Sequence, residues 1–181
     1  MSHIDPISID ALPASVDAFR ALRDEIARTP EGGAAMMVLA LLVHAKDEAL
    51  GRPCLTMAVD RDRLQEGEGG YQNLRLARTA QSRIDQQLAA QPYLPRAYVR
   101  GASPENGYRL PNPPYVLEFA RNPYSGDPAS GQVKVFVVCS GAASPRPITV
   151  RRNNRGVWKA HEWSSLVMGI GPAVVAMDDD L

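Results

Sequence analysis

One stretch restricts the fold more than any other. Thr29-Pro30-Glu31 combines an N-cap hydroxyl, a proline at the first helical position and an acid in the first turn. The helix that follows, GGAAMMVLALLVHAKDEAL, is apolar on nearly every side as far as His44. A helix without a polar face must be surrounded, and its longest apolar run, Ala34 to Val43, is too short to cross a bilayer. The surroundings are therefore the rest of this chain, and the helix is expected at the centre of a globule. Gly32, Gly33, Ala34 and Ala35 would let another backbone come close to its first turns, while Gly51 and Arg52-Pro53 predict where it stops.

Around that helix the first half reads as mostly helical. Met1 to Pro13 is expected to be an irregular lead-in. Val16, Phe19, Leu22 and Ile26 recur at helical spacing behind Ser15, a plausible N-cap. Cys54 to Val59 reads as a short strand or extended segment, Asp60 to Gly70 as a charged, glycine-rich surface loop, and Gln72 to Ala90 as a further helix. A proline-punctuated stretch, QPYLPRAYVRGASPENGYRLPNPP, then separates the helical half from a β-rich half.

From Tyr115 the period changes to two. Tyr115 to Ala120 is one predicted strand, and RNPYSGDPASG is a long turn. Gln132 to Ser140 is a nearly continuous apolar run, hence a central strand. Ile148 to Arg152 and Val157 to Trp163 flank Asn153-Asn154-Arg155-Gly156, the strongest hairpin signal in the chain. A bulge near His161 would exchange the faces of the residues beyond it. The fold class expected is α+β: two to three N-terminal helices, one of them buried, on a C-terminal antiparallel sheet of four to five strands able to curve over it. The 181 residues are taken as a single domain, with a helical part over 14–90, a β-rich part over 97–170 and an acidic tail over 177–181.

Charge excludes little but weakens one class. Twenty basic and twenty acidic residues cancel, so no global field recruits nucleic acid or an anionic membrane. The balance is local: from Gln91 to Met177 there are ten Lys/Arg against four Asp/Glu. The two cysteines, Cys54 and Cys139, are far apart in no CxxC pattern and predict buried thiols, neither a zinc site nor a redox pair. The start MSHIDPISID has neither basic nor apolar regions of a secretory signal, so a cytoplasmic location and no membrane span are expected.

Candidate chemistry is sparse. His44 has Asp47 and Glu48 within the next helical turn, and the expectation is a helix-end histidine interacting with those carboxylates. His161 and Glu162 are neighbours on a strand, where alternation would send them to opposite faces. These four, His44, Glu48, His161 and Glu162, are the candidates for acid–base catalysis. Serine and cysteine nucleophiles have no supporting motif, and HAKDE is not the spacing that puts two imidazoles on one metal. Arg146, Arg151, Arg152, Arg155 and Lys159 gather around one hairpin with Trp158 and Trp163, a pattern open to an anion or single-stranded nucleic acid. The long turn adds Asn122, Tyr124 and Asp127 as a small polar surface.

The segments TPEGGAAMMVLALL, CLTMAVD, YLPRAYVRGASPENGY, NPYSGDPASG and CSGAASPRPITVRRN…GVWKAHEWSSL occur in this order. Together they resemble an uncharacterised bacterial domain family, a domain of unknown function, over roughly residues 29–170. That resemblance implies a compact bacterial domain and no particular activity.

With no complete catalytic constellation in the chain, the expected function is a non-catalytic interaction or adaptor module of a bacterial secretion, effector or immunity assembly. Its partner would be another protein, with self-association open and no metal or cofactor. Two alternatives stand beside it. One is a hydrolase-type enzyme using His161 or His44 with a nearby carboxylate. The other is anion or nucleic-acid binding through the Arg146–Lys159 hairpin, with nucleic acid disfavoured by the zero net charge.

Overall fold

The computed structural model describes residues 1–174. The elements run β1 (Ser2–Ile9), α1 (Val16–Ile26), α2 (Pro30–Lys46), α3 (Glu48–Ala58), β2 (Leu64–Tyr71), β3 (Leu74–Leu76), α4 (Arg78–Ala90), β4 (Tyr115–Arg121), β5 (Gln132–Val137), β6 (Arg146–Arg152) and β7 (Trp158–Glu162). The class is α+β. Four helices accompany a five-stranded antiparallel sheet of order β1-β4-β5-β6-β7 and a separate β2-β3 ribbon.

α2 is the centre, as its all-round apolarity requires. Every residue from Pro30 to His44 is buried, with α1 and α3 on one side and β5, β6 and β7 on the other. Thr29 caps it by accepting from Gly32 N at 3.1 Å, and Ser15 caps α1 in the same way. The small residues at its start serve close approach: a Cβ on Gly33 would sit 2.7 Å from Trp158 Cβ and 2.8 Å from the Trp158 carbonyl oxygen. Helix and strand therefore touch backbone to backbone. Glu31, only 4% exposed, is neutralised by Arg121 of β4 in a two-pronged ion pair at 2.6 and 2.9 Å. One hydrophobic cluster runs through both halves of the chain.

Four helices replace the two to three expected, and five further expectations are corrected. Met1 to Pro13 is no irregular lead-in, because Ser2–Ile9 is the sheet's outer strand. Its alternation is masked by a register shift between Ile4 and Ile7, at Asp5-Pro6. Gly51 and Pro53 do not end α2. That helix stops at Lys46, and Asp47 starts α3 by accepting from Leu50 N at 3.2 Å. Cys54 to Val59 is accordingly helix, not strand, up to Ala58. Gly51, Cys54, Leu55 and Ala58 recur at helical spacing among its buried residues, which also include Thr56 and Met57, and this packing absorbs the bond lost at Pro53. Finally, Asp60 to Gly70 is not wholly loop and the last helix does not begin at Gln72. β2 and β3 form a hairpin whose turn residues, Gln72 and Asn73, both have positive φ.

Beyond β7 the chain leaves the sheet and is held by side chains. Arg146 donates to the Met168 and Gly169 carbonyls at 2.7 Å each. Gln91 both donates to Ile170 O and accepts from Ile170 N, and Tyr108 donates to Gly171 O at 2.6 Å. The acidic tail over 177–181 lies outside the described residues. Among the described residues no helix is long and apolar enough to cross a membrane.

Candidate functional site: a histidine held by aspartate at a cavity

The hairpin β6-β7 is irregular at one point. Val150 faces Ala160 but Thr149 faces Glu162, so His161 is the extra residue of a bulge. The bulge corrects the expectation of opposite faces, since His161 and Glu162 now line the same cavity. This cavity, about 280 Å³, lies between the end of β7, the segment entering β2 and the start of α4. Arg63, Thr79, Ala80, Arg83, Trp163 and Ser164 complete most of its wall.

His161 is fixed by residues that sequence reasoning missed. Val59 forms a parallel bridge with Ala160, and Asp60 N donates to Ala160 O at 2.7 Å. That junction brings Asp60 Oδ2 to 2.8 Å from His161 Nδ1. On the other side of the ring, Arg63 Nη2 lies 3.1 Å from His161 Nε2. A guanidinium can only donate and a carboxylate can only accept, so both contacts select one tautomer. His161 carries its proton on Nδ1, toward Asp60, and presents an Nε2 lone pair toward Arg63 and the cavity. Its side chain keeps 13% exposure. Glu162 is held aside: Oε1 accepts from both Ser164 N and Ser164 Oγ, at 3.1 and 2.7 Å. Those bonds keep the carboxyl below its usual range.

The second histidine pairs differently from expectation. His44 does not bind Asp47 or Glu48; its Nε2 lies 2.9 Å from Asp85 Oδ1 on α4. Asp85 also accepts from Gln81 at 3.0 Å. Asp47 is the cap of α3, and Glu48 is paired to Arg52 at 2.7 Å. Ligand atoms of His44, Glu48 and Asp85 do come within 4.8 Å of one another. Arg52, 2.7 Å from Glu48 and 3.6 Å from Asp85, already supplies a cation there.

The arginine hairpin is largely committed to structure. Arg146 binds the chain after β7, Arg151 reaches Gln132 and Asp62 at 2.8 and 3.3 Å, and Arg152 lies 5.5 Å from the Trp158 ring centroid. Trp158 is buried beneath it, and Trp163 is buried in the cavity wall. In the long turn, Asn122 Oδ1 accepts from Tyr124 N and Asp127 Oδ1 from Ala129 N, both local turn bonds. Tyr124 itself is 91% exposed. Both cysteines are free and buried, and burial pushes the Cys54 thiol up to about 12.

Residues 11–174 match the family described as Domain of unknown function (DUF6935). The chain belongs to that family. No curated protein and no solved structure matches it. The description of that family names no activity.

Proposed function

We propose that this DUF6935 domain binds a small anionic substrate in the His161 cavity and acts on it by general acid–base chemistry, with hydrolysis as the reaction class. The observation that carries the reading is the Asp60–His161 pair, with its second nitrogen turned to a cavity that also holds Arg63 and Arg83. A carboxylate or phosphate on the substrate draws the two guanidinium groups to itself. Arg63 then leaves Nε2, whose lone pair takes a proton from an attacking water, while Asp60 stabilises the imidazolium that forms. Substrate binding and base activation are thereby coupled through one arginine.

The test follows the ring itself. The chain has three histidines, His3, His44 and His161, so His161→Gln assigns the His161 ring signals by difference. Titration with phosphate and acetate should shift those signals. Turnover of p-nitrophenyl phosphate or acetate should appear in the parent and be lost in His161→Gln. A parent protein with neither ring shift nor turnover would overturn the proposal.

The adaptor reading has one observation in its favour, the exposure of Tyr124 on the long turn. A stoichiometric protein partner released by Tyr124→Ala would move the assignment to an interaction module of a bacterial assembly.

A further inference from the structure

The largest cavity among those described is lined by Asp60 but not by His161. It measures about 410 Å³, within the range of small-molecule sites. Its wall carries Arg20, Arg23, Arg61, Arg155 and Lys159, against Asp60 as the carboxylate. Arg23 is balanced by Asp24 at 2.8 Å, and Arg20 donates to Tyr71 Oη at 3.3 Å. Among the described residues, neither Arg61 nor Arg155 has a side-chain partner. Asn153, Asn154, Gln72 and Thr56 add neutral polar groups to the same wall.

Lys159 is the unusual member. The chain has only three lysines, and Lys46 and Lys134 are exposed whereas Lys159 is half-buried. Its ammonium donates to the Met57 carbonyl at the end of α3. Burial, with Arg23 nearby, lowers it to about 8, although Asp60 and Asp24 pull the other way. A cation kept in such surroundings without a carboxylate partner is poorly satisfied by its own protein.

We infer that this cavity is a separate binding site for a phosphorylated small molecule, its phosphate taken by Arg61 and Arg155 and its body lying over Lys159. Unpaired guanidinium forks match phosphate oxygens bidentately, and a cavity of this volume has room for a small ligand. The inference goes beyond the reading of the His161 cavity and does not need His161 to be catalytic.

The probe is pyridoxal 5′-phosphate followed by borohydride, with pyridoxal as the control lacking phosphate. A neutral lysine amine adds to the aldehyde, its oxygen departs as water, and borohydride delivers hydride to the imine carbon. The resulting secondary amine is located by peptide mass spectrometry. Relative to Lys46 and Lys134, Lys159 should be labelled about tenfold faster by the phosphorylated probe than by pyridoxal, a gain of the size a charge-assisted phosphate contact provides. Pyridoxal should show only the smaller preference that the lowered Lys159 amine itself gives, and inorganic pyrophosphate should protect Lys159 from the phosphorylated probe. Arg61 and Arg155 are exposed, so Arg61→Ala/Arg155→Ala should fold normally while losing the gain. Equal labelling of the three lysines, equal labelling of Lys159 by both aldehydes, or a gain unchanged in the double variant would overturn the inference. The His161→Gln variant should label like the parent, which separates failure here from failure of the hydrolytic reading.

Discussion

Two histidines in this protein make the same first contact and live in opposite circumstances. His44 and His161 each hold a carboxylate oxygen at under 3 Å, Asp85 and Asp60 respectively, and each carboxylate comes from a distant segment. The His44 side chain is 3% exposed, against 13% for His161. Among the described residues, His44 Nδ1 is the buried side-chain atom left without a partner. The backbone of α3 passes so close that a Cβ on Gly51 would lie 2.6 Å from it. The second nitrogen of His161, by contrast, meets an exposed arginine at the edge of a cavity. A histidine–carboxylate pair is therefore not a site by itself. Whether the other nitrogen can be reached decides between a locked helix junction and a candidate base.

The contrast can be broken most sharply from the His44 side. Gly51→Ala would put its methyl 2.2 Å from His44 Cα, and backbone has no room to yield. We expect a loss of about 3 kcal/mol in urea unfolding, at the upper end for single substitutions. Next comes Lys159, two residues before His161 on β7. Its folded-state value near 8 lies below the ordinary 10.5, so the unfolded chain holds the proton more tightly. Stability should therefore rise with pH between about 8 and 10.5, with the full penalty present below that window and none above it. Lys159→Met should be more stable than the parent by about 2 kcal/mol at neutral pH, a gap that closes across the same window.

Smaller effects sharpen the comparison. Asp85→Asn, which weakens the contact to a sealed ring, should cost about 1–2 kcal/mol of stability and leave ligand binding at the His161 cavity untouched. Asp60→Asn should do the converse. Its stability cost should be about 1 kcal/mol or less, while any His161-dependent turnover falls steeply because the tautomer and the imidazolium lose their anchor. Parallel melting and turnover curves for the two asparagine variants test both statements. Equal losses of activity in the two would erase the distinction.

How much of this was legible in the sequence depended on whether the pattern was local. α2, its Thr29-Pro30 start, and the strands from Tyr115 onward follow from periodicity and cap chemistry within a few residues. The turn at Asn153 to Gly156 is equally local: Asn153 Oδ1 accepts from both Arg155 N and Val157 N. β1 was hidden because a bulge breaks a period-two pattern at the residue where it occurs. α3 was hidden because Gly51 and Pro53 look like a stop, yet its tertiary packing outweighs both. His161 is a candidate on sequence alone, but its partners are not. Asp60 and Arg63 sit about a hundred residues earlier, in a DRDR run that reads as ordinary surface charge. No spacing rule connects them to β7. The Val59–Ala160 bridge does so, and such bridges exist only in three dimensions.

The outer strand β1 has a consequence for the protein at high concentration. A five-stranded open sheet normally offers its last strand as a template on which another copy can dock. Here the end strand contains Pro6, which has no amide hydrogen to offer, beside a register slip that bends the strand. A visiting strand would find the ladder interrupted halfway along and could not zip past it. The same two residues that obscured β1 in the sequence thus act as a gatekeeper against edge-to-edge aggregation.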